Sequence, residues 1–441
     1  MPASMLRLIA PVDEIMALFL LFRERKKVQV KMEQSQRLKV LWVTPRWLFP
    51  ATDGARIAST QLLRHLKGQP VDIHLCAIVQ KDEVIDPELV LSDLGIQNLS
   101  FVWRKKNDFQ QKIRHFLRTP FFPITFAPYA TKEVVDQMDV LFNGRKYDLI
   151  VYDGLHAAAW RAFSLKEKEW ASQVVYRAHN VENELWFQAA REVFNPLKKA
   201  LLFSQGQLVK KVEAALTRET NFLFPVSMND EAKFRAYEPR GEVRTLPIGI
   251  QISTDRDTSH SEHSRARRLL FVGRLDWPPN KDGLAWGLKN VWLKAREKNH
   301  DLELTIVGSG DSSWLNDYKS YPGIKVEGAV KNLAPYYDNC LATLVPVFYG
   351  SGTRVKAIES SLYGRPCIST GIGVEGMGLV PEEHYYHAET VDDWVRVIST
   401  LSPYEAWEMG KRARAHAKQI FNPEVIATQF VDSVSGRKEA R

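Results

Sequence analysis

Short apolar runs recur along the first half of the chain, at residues 38–44 (LKVLWVT), 71–79, 99–103, 147–153 (YDLIVYD), 173–178 and 222–227. Between them the apolar positions fall at helical spacing: Ile57, Leu62, Leu63 and Leu66 form one stripe, residues 132–142 another, and a long one ends near Thr220. Apolar runs alternating with helical stripes predict a mostly parallel sheet with helices on both faces. The run VRTLPIGI at 243–250 gives way to a polar stretch with no apolar residue between Ser253 and Arg265, which reads as a solvated linker. A second strand-and-helix series follows at 269–274, 301–310, 324–328, 341–347 and 367–370, and residues 391–430 are helical in pattern. The expected organisation is an extension at 1–37, a Rossmann-like α/β domain at 38–250, a linker at 251–267, a second Rossmann-like domain at 268–415, and a helix and tail at 416–441.

The most informative stretch is 346–376. A strand breaks at Gly350-Ser351-Gly352-Thr353, a helix follows with Val355, Ile358, Glu359 and Leu362 on one stripe, and Gly364 marks its stop. A strand, a glycine-rich turn and a helix start make an anion site, because free backbone N–H groups and the helix dipole point at one spot. Glu359 lies where a carboxylate can accept hydrogen bonds from a diol such as a ribose. An ordinary strand–helix–strand unit with a solvated glutamate fits the same glycines equally well.

Composition narrows the class. A chain of 441 residues with 45% hydrophobic and 25% charged residues is too long for one core and ordinary for a globular protein. Cys76, Cys340 and Cys367 are far apart, so they offer neither a disulfide framework nor a zinc spacing and read as buried thiols of the cytoplasm. The whole excess charge of +8 falls in residues 1–240. Much of it lies at 104–118, where Arg104, Lys105, Lys106, Lys112, Arg114 and Arg118 face only Asp108, with Phe109 and Phe116 between them. That patch suits an anionic membrane surface, or a solvated helix face; no nucleic-acid motif accompanies it. At the start of the chain, the apolar run 15–22 is too short to span a membrane and its charges follow it, unlike a signal peptide.

Taken in order, VGRLDWPPNKDG, LTIVGSG, VEGAV with Tyr336-Tyr337 after it, and GSGTR followed by Glu359 and the Gly364–Pro366 turn resemble the donor-binding domain of GT-B glycosyltransferases. The match is to the retaining family 4 enzymes, or group 1, of bacterial polysaccharide and glycolipid synthesis. LWVTPRWLFPATDGARIASTQLLRHL and YRAHNVENELW resemble the exopolysaccharide branch of that family. The resemblance runs from about residue 38 to 430. It implies a GT-B fold, two Rossmann-like domains facing each other across a cleft, and transfer of a sugar from a nucleotide-sugar donor to a saccharide or lipid-linked acceptor. Arg274 and Lys281 take the places of the cations that neutralise the donor diphosphate. Glu359 takes the place of the second Glu of a Glu-x7-Glu pair, which holds the ribose. His179 matches the histidine near the reacting carbon, Gly54 the small residue beside the diphosphate, and Val330 the position whose backbone meets the base. The first Glu of the pair falls on Ser351, a departure that leaves backbone N–H groups of Ser351, Gly352 and Thr353 to make those contacts.

The chemistry such a site needs is also clear from elementary considerations. A leaving nucleoside diphosphate gains negative charge, which two fixed cations and a helix start can stabilise. No carboxylate cluster offers a metal cage, and no resident cofactor or metal is expected. Gly308-Ser309-Gly310 hints at dinucleotide binding, but Ser313 occupies the third glycine position. Two further readings stay open: an epimerase of nucleotide sugars, and a sugar-nucleotide-binding partner without turnover.

Overall fold

The computed structural model describes residues 37–51, 53–105, 122–164, 166–252, 267–350 and 353–436. Most of the basic patch at 104–118, the core of the linker, and Ser351 and Gly352 therefore lie outside the described residues.

The first half contains β1 (Leu38–Thr44), α1 (Gly54–Leu66), β2 (Val71–Gln80), β3 (Asn98–Arg104), α2 (Lys132–Phe142), β4 (Tyr147–Asp153), β5 (Ala171–Ala178), α3 (Glu182–Glu192), α4 (Pro196–Glu219), β6 (Phe222–Pro225), α5 (Met228–Arg235) and β7 (Glu242–Val243). The strands form one seven-stranded sheet in the order β3-β2-β1-β4-β5-β6-β7, every pairing parallel. Successive side chains of β1 go to opposite faces. Leu41 and Val43 join Ile150, Tyr152, Met138 and Val209 on one side, and Val40 and Trp42 join Leu63, Leu66 and Val151 on the other. Both faces are covered, as a parallel sheet requires.

The second half contains β8 (Arg267–Val272), α6 (Pro278–Gly287), β9 (Leu302–Val307), β10 (Ile324–Gly328), α7 (Ala334–Asp338), β11 (Ala342–Val345), α8 (Val355–Leu362), β12 (Cys367–Ser369), β13 (Tyr386–His387), α9 (Val391–Thr400), α10 (Pro403–Ile420) and α11 (Pro423–Ser435). Its six strands run in the order β10-β9-β8-β11-β12-β13, again parallel throughout. In each sheet the first strand lies between the second and the fourth in chain order (β1 between β2 and β4, β8 between β9 and β11), so both have a switch point where connections leave in opposite directions and a crevice opens.

The halves are tied together. Ala58, Val226, Ile248 and Ile250 of the first share a core with Val345, Val347, Ala357 and Ile358 of the second. The run 243–250 forms a strand only at Glu242–Val243. Its later apolar residues Leu246, Ile248 and Ile250 are buried in the packing between the halves rather than in a longer strand. At the other end, α11 crosses back to the first sheet. Phe430 lies 5.6 Å from the Trp42 ring and 5.5 Å from the Phe224 ring, and Ile426, Ala427, Val431 and Val434 are buried beside it. The three cysteines are buried free thiols, pushed up to about 12 by that burial.

Candidate functional site

Gly54, His179 and Arg274 lie in the connections that leave the carboxyl ends of β1, β5 and β8, while Lys281 lies in α6, Glu359 in α8 and Val330 beyond the edge strand β10. His179 follows β5. Its Nε2 donates to Asp153 Oδ1 at 2.8 Å, and Asp153 is the last residue of β4. Asp153 is buried and also accepts from Trp42 Nε1 at 3.0 Å and from Arg177 Nη1 at 2.9 Å, while Arg177 Nη2 reaches the Ala58 carbonyl at 3.0 Å. Burial works to raise the Asp153 pKa, but Arg177 and His179 outweigh it and hold the carboxyl well below the usual carboxylate range. A fixed carboxylate of this kind sets the ring orientation of a histidine, leaving Nδ1 of His179 as the nitrogen free to meet a ligand. Asp153 and Arg177 were not singled out in the sequence, although an acid ending an apolar strand beside a switch point is where such a group belongs.

Gly54 opens α1, capped by Asp53, whose side chain accepts from Arg56 N at 3.1 Å. A Cβ on Gly54 would stand 3.6 Å from Val355 Cγ2, so the start of α1 meets the start of α8 across the two halves. Thr353 strengthens that junction: its Oγ1 donates to the Val226 carbonyl at 3.4 Å. Asn229 Nδ2 does the same to Glu375 Oε1 at 2.9 Å.

Arg274 leaves β8 and makes a two-pronged pair with Asp276, at 3.0 and 2.8 Å. Those hydrogen bonds hold the guanidinium above its ordinary value, and Asp53 from the opposite half adds to the effect. Lys281 lies in the first turns of α6, exposed, with its ammonium 5.9 Å from the centre of the Trp314 ring. Between the two, Asn280 Nδ2 donates to the Arg274 carbonyl at 3.0 Å and Asn280 Oδ1 accepts from Lys356 Nζ at 2.7 Å. Lys356 lies in the first turn of α8 with its ammonium 4.5 Å from the centre of the Phe271 ring. Burial, with Arg354 adding to it, pushes this ammonium down to about 7. Lys356 and Asn280 were also missed in the sequence. The available signal was spacing, since Lys356 stands one helical turn before Glu359.

Glu359 accepts from the Tyr337 hydroxyl at 3.3 Å, and the Tyr337 ring stacks on Tyr363 at 4.3 Å. Burial raises the carboxyl to about 7, with the Tyr337 hydrogen bond partly opposing it. Val330 follows β10 and packs, partly buried, in a cluster with Leu270, Val307 and Tyr337. The structure thus brings Arg274, Lys281, Lys356 and the α8 start to one side of the junction, with His179 and Gly54 on the other. Ser351 and Gly352 lie outside the described residues. Among the described residues no group of three His, Cys, Asp or Glu side chains could hold a metal ion.

Glycines 308 and 310 serve this geometry. A Cβ on Gly308 would fall 1.8 Å from the Gly273 carbonyl oxygen, and Gly310, at φ 92, would meet Asp276. They let β9 close under the Arg274 turn, which accounts for the GSG spelling without a dinucleotide.

The chain is similar to several known proteins. Residues 266–402 match the family model described as Glycosyl transferases group 1. A relative from Klebsiella pneumoniae, an uncharacterized 44.6 kDa protein in the cps region, is 23% identical over 351 residues, covering 77% of this chain and 84% of its own. The sucrose-phosphate synthase of Thermosynechococcus elongatus superposes with a TM-score of 0.64 at 17% identity, over 91% of this chain and 99% of its own. Anabaena HepE, crystallised with UDP and glucose, superposes with a TM-score of 0.63 at 13% identity, over 90% and 100%. At these identities the structural likeness establishes the fold. Residues 266–402 thus match the model of the glycosyl transferases group 1 family, and the chain as a whole has the GT-B fold.

Proposed function

We propose that this protein transfers a sugar from a nucleotide-sugar donor to a saccharide or lipid-linked acceptor in the synthesis of a cell-surface polysaccharide or glycolipid. The observation that carries the reading is the convergence at the junction of the halves. Arg274, on the second half, feels Asp53, the cap of the helix that Gly54 opens on the first. A diphosphate between them would take the Arg274 guanidinium in place of Asp276, with Lys281 and the α8 start nearby. Negative charge that develops as the nucleoside diphosphate leaves is stabilised by these fixed cations, without a metal ion. Glu359 would hold the ribose hydroxyls, Val330 would offer its backbone to the base, and His179, steadied by Asp153, would turn Nδ1 toward the donor sugar. Backbone groups of Ser351, Gly352 and Thr353 would complete the sugar contacts. The resemblance to retaining enzymes favours retention, and with no obvious covalent nucleophile among the described residues around the cleft it would proceed by same-face attack, the departing phosphate accepting the proton of the acceptor hydroxyl. The relative from a cps region supports a polysaccharide context.

Ser351, where the related pattern has a carboxylate, favours one second reading, a donor-binding component without turnover. Incubating the purified protein with a panel of nucleotide sugars and a lipid extract separates them. Release of free nucleotide that depends on the extract supports transfer. Binding of a nucleotide sugar with no release under any condition supports the second reading, and absence of binding overturns both.

A further inference from the structure

The helical hairpin of α3 and α4 stands apart from the machinery above. Its base is latched: Glu213 of α4 accepts from the Glu182 backbone N–H at 3.0 Å and from Asn183 Nδ2 at 2.7 Å, just beyond the carboxyl end of β5. Farther up, Phe187 packs on Phe203 at 5.4 Å and closes on Gly206. These pairings make the two helices antiparallel, so the turn joining them points away from the sheet. Between Glu213 and Pro196 a helix rises about 25 Å, so the tip stands well beyond the strand ends. Gln188, midway along α3, lines a cavity of about 190 Å³ with Asp230 and Lys233 of the first half and Gly350 and Glu375 of the second. Through Gln188 the hairpin therefore lines this cavity at the junction of the halves, and its tip lies farther out along both helices.

The tip is apolar and basic. Phe194 is fully exposed, Leu197 is 81% exposed, Phe203 53% and Leu201 42%. Lys198 and Lys199 are exposed among them, and Lys210 and Lys211 extend the basic surface along α4. From Val193 to Val212 the sequence contains no Asp or Glu. Exposed aromatic and leucine side chains mixed with lysines, on a helix not apolar enough to cross a bilayer, match the chemistry of a lipid interface: rings and methyls enter the headgroup boundary while ammonium groups meet lipid phosphates. Pairing two copies of this surface would set lysine against lysine, so a second copy of the chain is a poor occupant.

We propose that the α3–α4 tip docks on an anionic membrane surface and so places the mouth of the cleft against the bilayer. This rests on the transfer reading only for its purpose, since lipid binding is measured without turnover. The full chain is tested by flotation with phosphatidylcholine vesicles and with vesicles containing phosphatidylglycerol, at low and at high salt. Expected are binding to the anionic vesicles alone, weakened by salt, and a fall of roughly tenfold or more in both Phe194→Ser/Leu197→Ser and Lys198→Glu/Lys199→Glu. Lys294→Glu/Lys298→Glu, on the opposite half, serves as the charge control and should bind as the wild type does. Wild-type binding by both tip variants, or failure of the unaltered chain to float with anionic vesicles, overturns the proposal. So does a tip variant whose only change is in oligomeric state, which would identify a protein interface instead. Lipid binding with no nucleotide release would leave this inference standing and the transfer reading in doubt.

Discussion

At the scale of single residues, the site separates groups that meet changing charge from groups that meet constant charge. Arg274 and Lys281 would face charge that grows as the diphosphate leaves, so Arg274→Ala and Lys281→Ala should each lower single-turnover rates by roughly 10²–10³-fold, with a smaller change in donor affinity. Glu359 would hold a ribose that is unaltered in the reaction, so Glu359→Gln should mainly raise the donor dissociation constant. Unchanged turnover in both cation variants would place the chemistry elsewhere. The two shifted groups on α8 also predict a pH signature. Lys356, lowered to about 7, is largely neutral at pH 8, and a bound diphosphate would favour its charged form, so binding at pH 8 should take up protons. Glu359, raised to about 7, is largely protonated at pH 6, and a ribose that draws on its carboxylate should drive protons off there. Calorimetry in buffers of different ionisation heat should show the proton balance change sign between pH 6 and 8. Lys356→Met should remove the uptake and leave the release.

At the scale of elements, the strand ends matter more than the strand bodies. Asp153 joins β1 through Trp42, β5 through Arg177 and His179, and α1 through the Arg177 contact to Ala58, so one buried carboxylate fixes four elements around the cleft. Gly308 plays the corresponding part in the second half by letting β9 run under the Gly273 carbonyl. Gly308→Ala must push that turn outward, at a cost of about 1–3 kcal/mol, and carry Arg274 with it. Thermal denaturation and donor binding should both suffer. Gly287→Ala, in α6 with nothing within 4 Å of the added Cβ, is the matched control and should stabilise slightly. Equal behaviour of the two variants would mean that the close approach has no bearing on the site.

At the scale of the whole molecule, α11 brings residues 426–434 into the first sheet's core. Phe430 is fully buried against Trp42 and Phe224, so Phe430→Ala should cost about 3–5 kcal/mol. Because α11 follows α10 of the second half directly, this loss should also loosen the two halves. Chemical denaturation followed by tryptophan fluorescence should then show two transitions where the wild type shows closer ones. A single transition shifted only slightly would argue that α11 is a surface addition.

The apolar runs determined most of the strands and the alternation that makes both sheets parallel, because local hydrophobic period reports burial directly. The spelling of the turns pointed to the residues of the proposed anion site: the glycines and Lys281 are local signals, and Gly54, Arg274, His179 and Glu359 stand beside the strand ends or on the helix that follows one. What the sequence left open depends on residues brought together from afar. The helical pattern of residues 391–430 does not say that its last part covers the first sheet. Nor does spacing reveal that Asp153 steadies His179, or that Asn280 links Lys356 to the Arg274 turn, since these contacts cross between elements. The helical stripe that ends near Thr220 does not say which apolar side chains stay uncovered, as Phe194 just before α4 and Leu197 within it do. Period fixes which side of an element seeks burial; only the tertiary structure decides what covers it, because that choice is made by surfaces that meet after the chain has folded.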